Sequence, residues 1–301
     1  MSTSWFSFPD FFLSFSALLL EGLPFLLVGA LGSALVDLFL PESWLRRFLK
    51  LGPAAGIGAG MAAGLLFPIC ECGALPVALR LIRKGVPLPS AAAYLFAAPL
   101  FNPLSILSTY LAFRTRQPWL MTGLRLGMGA LLVGSLALWI RSRDSREILR
   151  LRPAAEGAAL PADPEEPAWR ARLRQTVRSV GEDLLSVAAF LALGAAVAAF
   201  LNTSINRAWL QPLAQNGFWG PVAAVLLAQL LSLCSTTDAF VIAALPQFTR
   251  AAALAFLVAG PIFDLKLWWI YQALFTRRAV LQIWLRVTAG ALVLAWLYSL
   301  L

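Results

Sequence analysis

All three cysteines of this chain fall in two short stretches, and it contains no histidine. Cys70 and Cys72 flank Glu71 in "FPICECGALP", residues 67–76, and Cys234 lies in "SLCSTTD", residues 232–238, with Thr237 and Asp238. Soft thiolates suit thiophilic metals and metalloids, which makes Cys70, Cys72 and Cys234 candidate metal ligands. The competing reading is that cysteine packs here as a small apolar residue. A C-x-C bridge is strained, and four ligands for a structural zinc are not available.

Carboxylates supply the remaining chemistry. Glu21, Glu71, Asp183, Asp238, Asp264 and Lys266 stand in otherwise apolar surroundings. Ionisable groups are costly in hydrocarbon and mark pathways and relays there. With no histidine, a proton relay has to use acids. Glu71, inside a break, is placed to meet a substrate or a proton. Asp264 and Lys266 either act or neutralise one another. Glu21 and Asp183 are candidates for ion coupling, and Asp183, near Arg178 and Glu182, is alternatively interfacial.

The elements that carry these residues are membrane helices. The sequence is 60% hydrophobic and 13% charged, with mean hydropathy +0.77. Several segments reach the roughly 20 apolar residues that cross a bilayer, and alternating strand patterns are absent. The fold expected is an all-α integral membrane protein with about eight transmembrane helices. The spans fall near residues 11–39, 53–82, 89–113, 119–140, 179–201, 218–245, 250–275 and 279–300. The first is read as a retained span, because no basic n-region or cleavage site accompanies it. Breaks interrupt four of the eight, at "PICECG", "PLFNP", "LCSTTD" and "GPIFDLK". Pro68, Gly73, Pro76, Pro99 and Pro103 disfavour continuous helix. Broken backbone at membrane depth is tolerated only inside protein or beside a watery cavity.

Residues 141–178 form a polar linker with nine arginines and six acids, dividing a first half (1–140) from a second (179–301). The positive-inside rule places the linker in the cytoplasm, and four spans on either side would put both termini there too. Arg46, Arg47 and Lys50 then fall outside, against the same rule. The net charge of +9 is read as orientation signal rather than as nucleic-acid binding. Gly60 and Gly64 have the GxxxG spacing of close helix contacts. Tryptophans near span ends, Trp5, Trp44, Trp119, Trp209 and Trp219, read as an interfacial belt.

The halves resemble each other. Shifted by 162 positions, "AAAYLFAAPLFN" (91–102) falls on "ALAFLVAGPIFD" (253–264) with six of twelve residues identical. At the same offset Pro99 meets Pro261, Asn102 meets Asp264, Glu21 meets Asp183 and Cys72 meets Cys234. Duplicated halves with paired breaks place a transporter's substrate site at the repeat interface. Four full spans per half make the repeats parallel; one re-entrant segment makes them inverted.

"PICECGALPVALRLIRKGVPLPSAAAYLFAAPLFNPLSI" and "LCSTTDAFVIAAL…AFLVAGPIFDLKL" resemble the predicted-permease family that includes the ArsP organoarsenical efflux permeases, in its uncharacterised branch. Glu71 departs from the small polar residue that many relatives carry between the cysteines. The resemblance implies a multi-pass inner-membrane permease rather than an enzyme, with no cofactor and an ion gradient as energy source. It transfers to Cys70, Cys72, Gly73, Pro99, Asn102, Cys234, Asp238, Asp264 and Lys266. The expected activity is export of a small thiophilic solute, a trivalent organoarsenical or soft metal species, through a site that also includes Glu71, Thr237 and Pro261. The alternatives are a permease for another cation or small organic solute with structural cysteines, and a membrane thiol-redox or metal-dependent enzyme. Expected partners are the lipid bilayer and the solute, with a homo-oligomer left open and nucleic acid excluded.

Overall fold

A computed structural model describes residues 8–39, 52–66, 69–150, 168–204 and 217–300. The regular elements are helices: α1 (Phe8–Phe39), α2 (Pro53–Leu66), α3 (Glu71–Arg83), α4 (Leu88–Phe101), α5 (Pro103–Ala112), α6 (Pro118–Arg141) and the short α7 (Ser145–Ile148). They continue with α8 (Ala168–Ser204), α9 (Trp219–Leu231), α10 (Thr237–Ala243), α11 (Arg250–Ile262), α12 (Leu265–Ile270), a 3-10 turn (Tyr271–Ala273) and α13 (Arg277–Leu300). Among the described residues the only strand-like pairing is a single bridge, Leu149 to Phe275.

Among the described residues, five stretches are long and apolar enough to cross a membrane: Phe8–Gly32, Leu88–Ala112, Pro118–Arg141, Arg250–Ala273 and Arg277–Leu300. Two of them run through a break. Pro99 and Pro261 each stand three residues before the point where α4 ends at Asn102 and α11 ends before Asp264. A proline removes one backbone donor from the ladder, and the next helix is restarted by a side-chain cap. Asn102 Oδ1 accepts from Leu104 N at 2.9 Å, and Asp264 Oδ1 accepts from Leu267 N at 2.6 Å.

The other two breaks differ from the expected interrupted spans. Gly56 and Gly60 of α2 lie against Ser90 of α4, and Gly64 lies against Ala97 and Ala98, so α2 and α4 run parallel. A connection of only Lys84–Pro87 brings α3 back against α4. The chain therefore doubles back between Leu66 and Glu71. In the second half Asp238, at the start of α10, meets Gly260, near the end of α11, so these two are also antiparallel. α8 begins at Ala168, eleven residues inside the stretch assigned to the linker. The middle of that linker, 151–167, lies outside the described residues.

Glycines set the closest crossings. A Cβ at Gly60 would run into the Ser90 carbonyl oxygen, and one at Gly29 into the backbone of Gly73, where α1 crosses α3. α8 packs instead on α12, with Gly194 against Lys266. α1 and α8 themselves pair antiparallel: Leu18 packs with Ala195, Ala198 and Ala199, while Gly22 meets Leu191. α6 and α13 are likewise antiparallel, with Leu132 against Gly290 and Trp139 under the Arg286 guanidinium. One end of the bundle joins Arg150 N to Leu274 O and Thr276 N to Ile148 O. The opposite end joins Arg250 to Gln117 and Trp296 to Phe218. Trp119 and Trp219 are exposed, consistent with their interfacial reading; Trp5, Trp44 and Trp209 lie outside the described residues.

Candidate functional site

The four breaks meet in pairs. The first reaches the fourth: Lys266 Nζ donates to Glu71 Oε1 at 3.2 Å. The same ammonium stands 3.8 Å from Asp264 Oδ2. Ser232 Oγ accepts from Lys266 N at 3.4 Å, which ties the third break to the fourth. The second reaches the third, where the Ser105 and Ser235 hydroxyls are 2.8 Å apart.

Arg125, seven residues into α6, fastens this second pair. Its guanidinium donates to Ser105 O at 3.4 Å, to Thr109 Oγ1, and to Ser235 O at 3.0 Å. It is 1% exposed although surrounded by apolar helix. Sequence reasoning passed over Arg125, and the available signal was the same one that singled out the acids: an ionisable side chain inside an apolar span. Ser105, Thr109, Ser232 and Ser235 carried no such signal, because a hydroxyl inside a helix commonly bonds back to its own turn.

The charged groups are buried and incompletely paired. Glu71, Asp238, Asp264 and Lys266 are each at most 3% exposed. Glu71 Oε2, Asp264 Oδ2 and both oxygens of Asp238 accept no hydrogen bond. Burying a charge is expensive unless it is paired, so the arrangement stores an electrostatic cost at the centre of the bundle.

The remaining candidates are placed as follows. Cys70, Cys72 and Cys234 are buried free thiols. Cys234 Sγ lies 3.0 Å from Thr236 Oγ1 and within electrostatic reach of Glu71, so the thiol-bearing breaks are neighbours. Among the described residues no three His, Cys, Asp or Glu side chains form a metal-holding group. Gly73 is the crossing point with α1, while Asn102 and Asp264 are helix caps, so each has a structural task. Pro99 and Pro261 are buried within α4 and α11, and Thr237 is exposed at the start of α10. Glu21 is half-buried on α1, within electrostatic reach of Lys266 and Cys234. Asp183 belongs to α8, and its side chain lies outside the described set.

A helical multi-pass membrane protein with buried charge at broken helix ends has the construction of a membrane transporter. The family model for predicted permeases, ArsP_1, matches residues 7–300, and the chain belongs to that family. It is 33% identical over 267 residues to "UPF0718 protein YcgR" of Bacillus subtilis (strain 168), covering 88% of this chain and 89% of that one. It is 30% identical over 270 residues to a protein of Streptococcus mutans serotype c, covering 89% and 88% of the two chains. That protein carries the name "Putative two-component membrane permease complex subunit", which does not fit the expectation of a homo-oligomer. No solved structure matches the chain. The family and the Streptococcus mutans relative are named as permeases, a class of transporter.

Proposed function

We propose that this permease is a secondary transporter of the inner membrane whose solute site is the cluster where the four breaks meet. The observation that carries the reading is the cross-half pair Glu71–Lys266, 3.2 Å apart and buried, joining the first break to the fourth. Structural charge alone would be cheaper as well-packed apolar side chains, so a retained buried cluster favours a functional role. An ion gradient is the proposed energy source, because the chain carries no nucleotide-binding motif.

The proposed solute is small and thiophilic, a trivalent organoarsenical or a soft metal species leaving the cell, because Cys70, Cys72 and Cys234 all border the breaks. The test is efflux of a trivalent arsenical from cells carrying Cys72→Ser or Cys234→Ser. Loss of efflux is expected in both, and unchanged efflux in both removes the thiol role. A second reading, a charged or strongly polar solute with packing cysteines, is favoured by a specific observation: Glu71, Asp264 and Lys266 form a buried charged contact. Flux screens with Glu71→Gln and Lys266→Met separate the two.

The halves are further proposed to be inverted repeats. Equivalent helices α1 and α8, and α6 and α13, pack antiparallel, which supports a pseudo-two-fold axis in the membrane plane. Six segments then cross: α1, α4–α5, α6, α8, α11–α12 and α13. The hairpins α2–α3 and α9–α10 are re-entrant from opposite faces. With the linker cytoplasmic, both termini lie on the outer side; Arg46, Arg47 and Lys50 lie outside the described residues. A second protein component, as in the Streptococcus mutans relative, belongs to the same proposal.

A further inference from the structure

Among the described residues of the central cluster, Asp238 is the one carboxyl group with no ion pair or hydrogen-bond donor at either oxygen. Asp264 uses one oxygen to cap Leu267 and turns the other toward Lys266, and Glu71 gives one oxygen to Lys266. Asp238 is 1% exposed, and its Oδ2 abuts the α carbon side of Gly260, where a Cβ would stand 3.0 Å away. Ala228 lines the same spot, so the wall beside the carboxyl is apolar and close.

The groups facing it come from every element around it. Arg125 of α6, Glu71 of α3, and Asp264 and Lys266 at the head of α12 all lie within electrostatic reach. Cys234 is on the turn before it, and its carbonyl accepts from Asp238 N. α11 brings Gly260 against the carboxyl, and α5 contributes the Ser105 carbonyl and the Thr109 hydroxyl to Arg125 rather than a charge. Nη1 and Nη2 of Arg125 donate to Ser105, Thr109 and Ser235 rather than to Asp238, and its buried Nε has no hydrogen-bond partner.

Charge counting points the same way. Glu71 and Asp264 balance Lys266 and Arg125, and an ionised Asp238 would leave the cluster one negative charge in excess. An unpaired carboxylate in so dry a place is among the costliest groups a protein can bury. A proton removes that cost without needing a cage of ligands.

We propose that Asp238 is the proton-binding group of this permease. It takes one proton from the aqueous phase, converting COO⁻ to COOH, and releases the same proton when the cluster is opened to the other phase. The inference rests on the reading of the cluster as a transport site and names its coupling ion. Lower pH fills the site and higher pH empties it.

The test is infrared difference spectroscopy of the full chain in lipid nanodiscs, titrated from acid to alkaline pH in potassium buffer. The wild type is expected to show a protonated-carboxyl C=O band at neutral pH that shifts in D2O and is lost as the pH rises. Asp238→Asn is expected to lack the band, and Glu71→Gln to keep it. Asp238→Glu retains an acid, and its band is expected to move in position and titration midpoint; this variant serves if the Asn protein does not purify. The proposal is overturned by a wild type without the band, by an Asn variant that keeps it in full, by a Glu variant whose band is unmoved, or by loss of the band when sodium is added at fixed pH. Failed arsenical efflux beside the expected spectra would sink the solute reading and support the proton site.

Discussion

Lys266 holds its ammonium between Glu71 and Asp264, at 3.2 and 3.8 Å. Removing one partner of a buried pair leaves the other charge uncompensated, a loss of about 3–5 kcal/mol. Lys266→Met is therefore expected to lower unfolding stability in detergent by that amount. The double variant Lys266→Met/Glu71→Gln is expected to recover at least half of it, which a thermal melt of the two proteins decides. Arg125→Lys loses the planar fork that serves three oxygens at once. At about 1.5–3 kcal/mol for each hydrogen bond to a charged group, the substitution is expected to cost at least one such bond, read in the same melt. Which residue types matter was legible from their cost in hydrocarbon. Their partners were not, because Glu71 and Lys266 are 195 positions apart and nothing local announces such a pair.

At the scale of elements, the positions of the breaks were legible, since proline and glycine act on the backbone where they stand. The direction taken after each break was not. Asn102 and Asp264 restart a helix that carries on through the bundle, whereas α3 runs antiparallel to α2. Both kinds look alike as punctuation, and only the packing of α2 beside α4 distinguishes them. The tight crossing of α1 over α3 gives a direct check. Gly29→Val places its side chain in the backbone of Gly73, and overpacking of this kind costs about 1–3 kcal/mol. Gly58→Val, with nothing within 4 Å of its Cβ position, is expected to change stability by less than half as much, as measured by melts of the two purified variants.

For the whole molecule, the membrane class was legible from composition and length alone, while the sidedness of the ends was not. Counting four spans per half puts both termini with the linker; the inverted arrangement proposed above, which the antiparallel pairing of α1 with α8 and of α6 with α13 supports, puts them on the other side. Asp10 and Thr203 stand at ends of α1 and α8 that this pairing brings together. Asp10→Cys and Thr203→Cys, each in a background with the three native cysteines replaced, are expected to react with an impermeant maleimide from the same face. Labelling from opposite faces would refute the inverted arrangement. The ion pair that joins the breaks also bears on biosynthesis. Glu71 is inserted long before Lys266 is translated, so the early half waits in the bilayer with a carboxylate whose counter-charge is still on the ribosome. Two separately expressed halves should therefore be short-lived alone and should rescue each other when produced together, because each brings the charge that the other is missing.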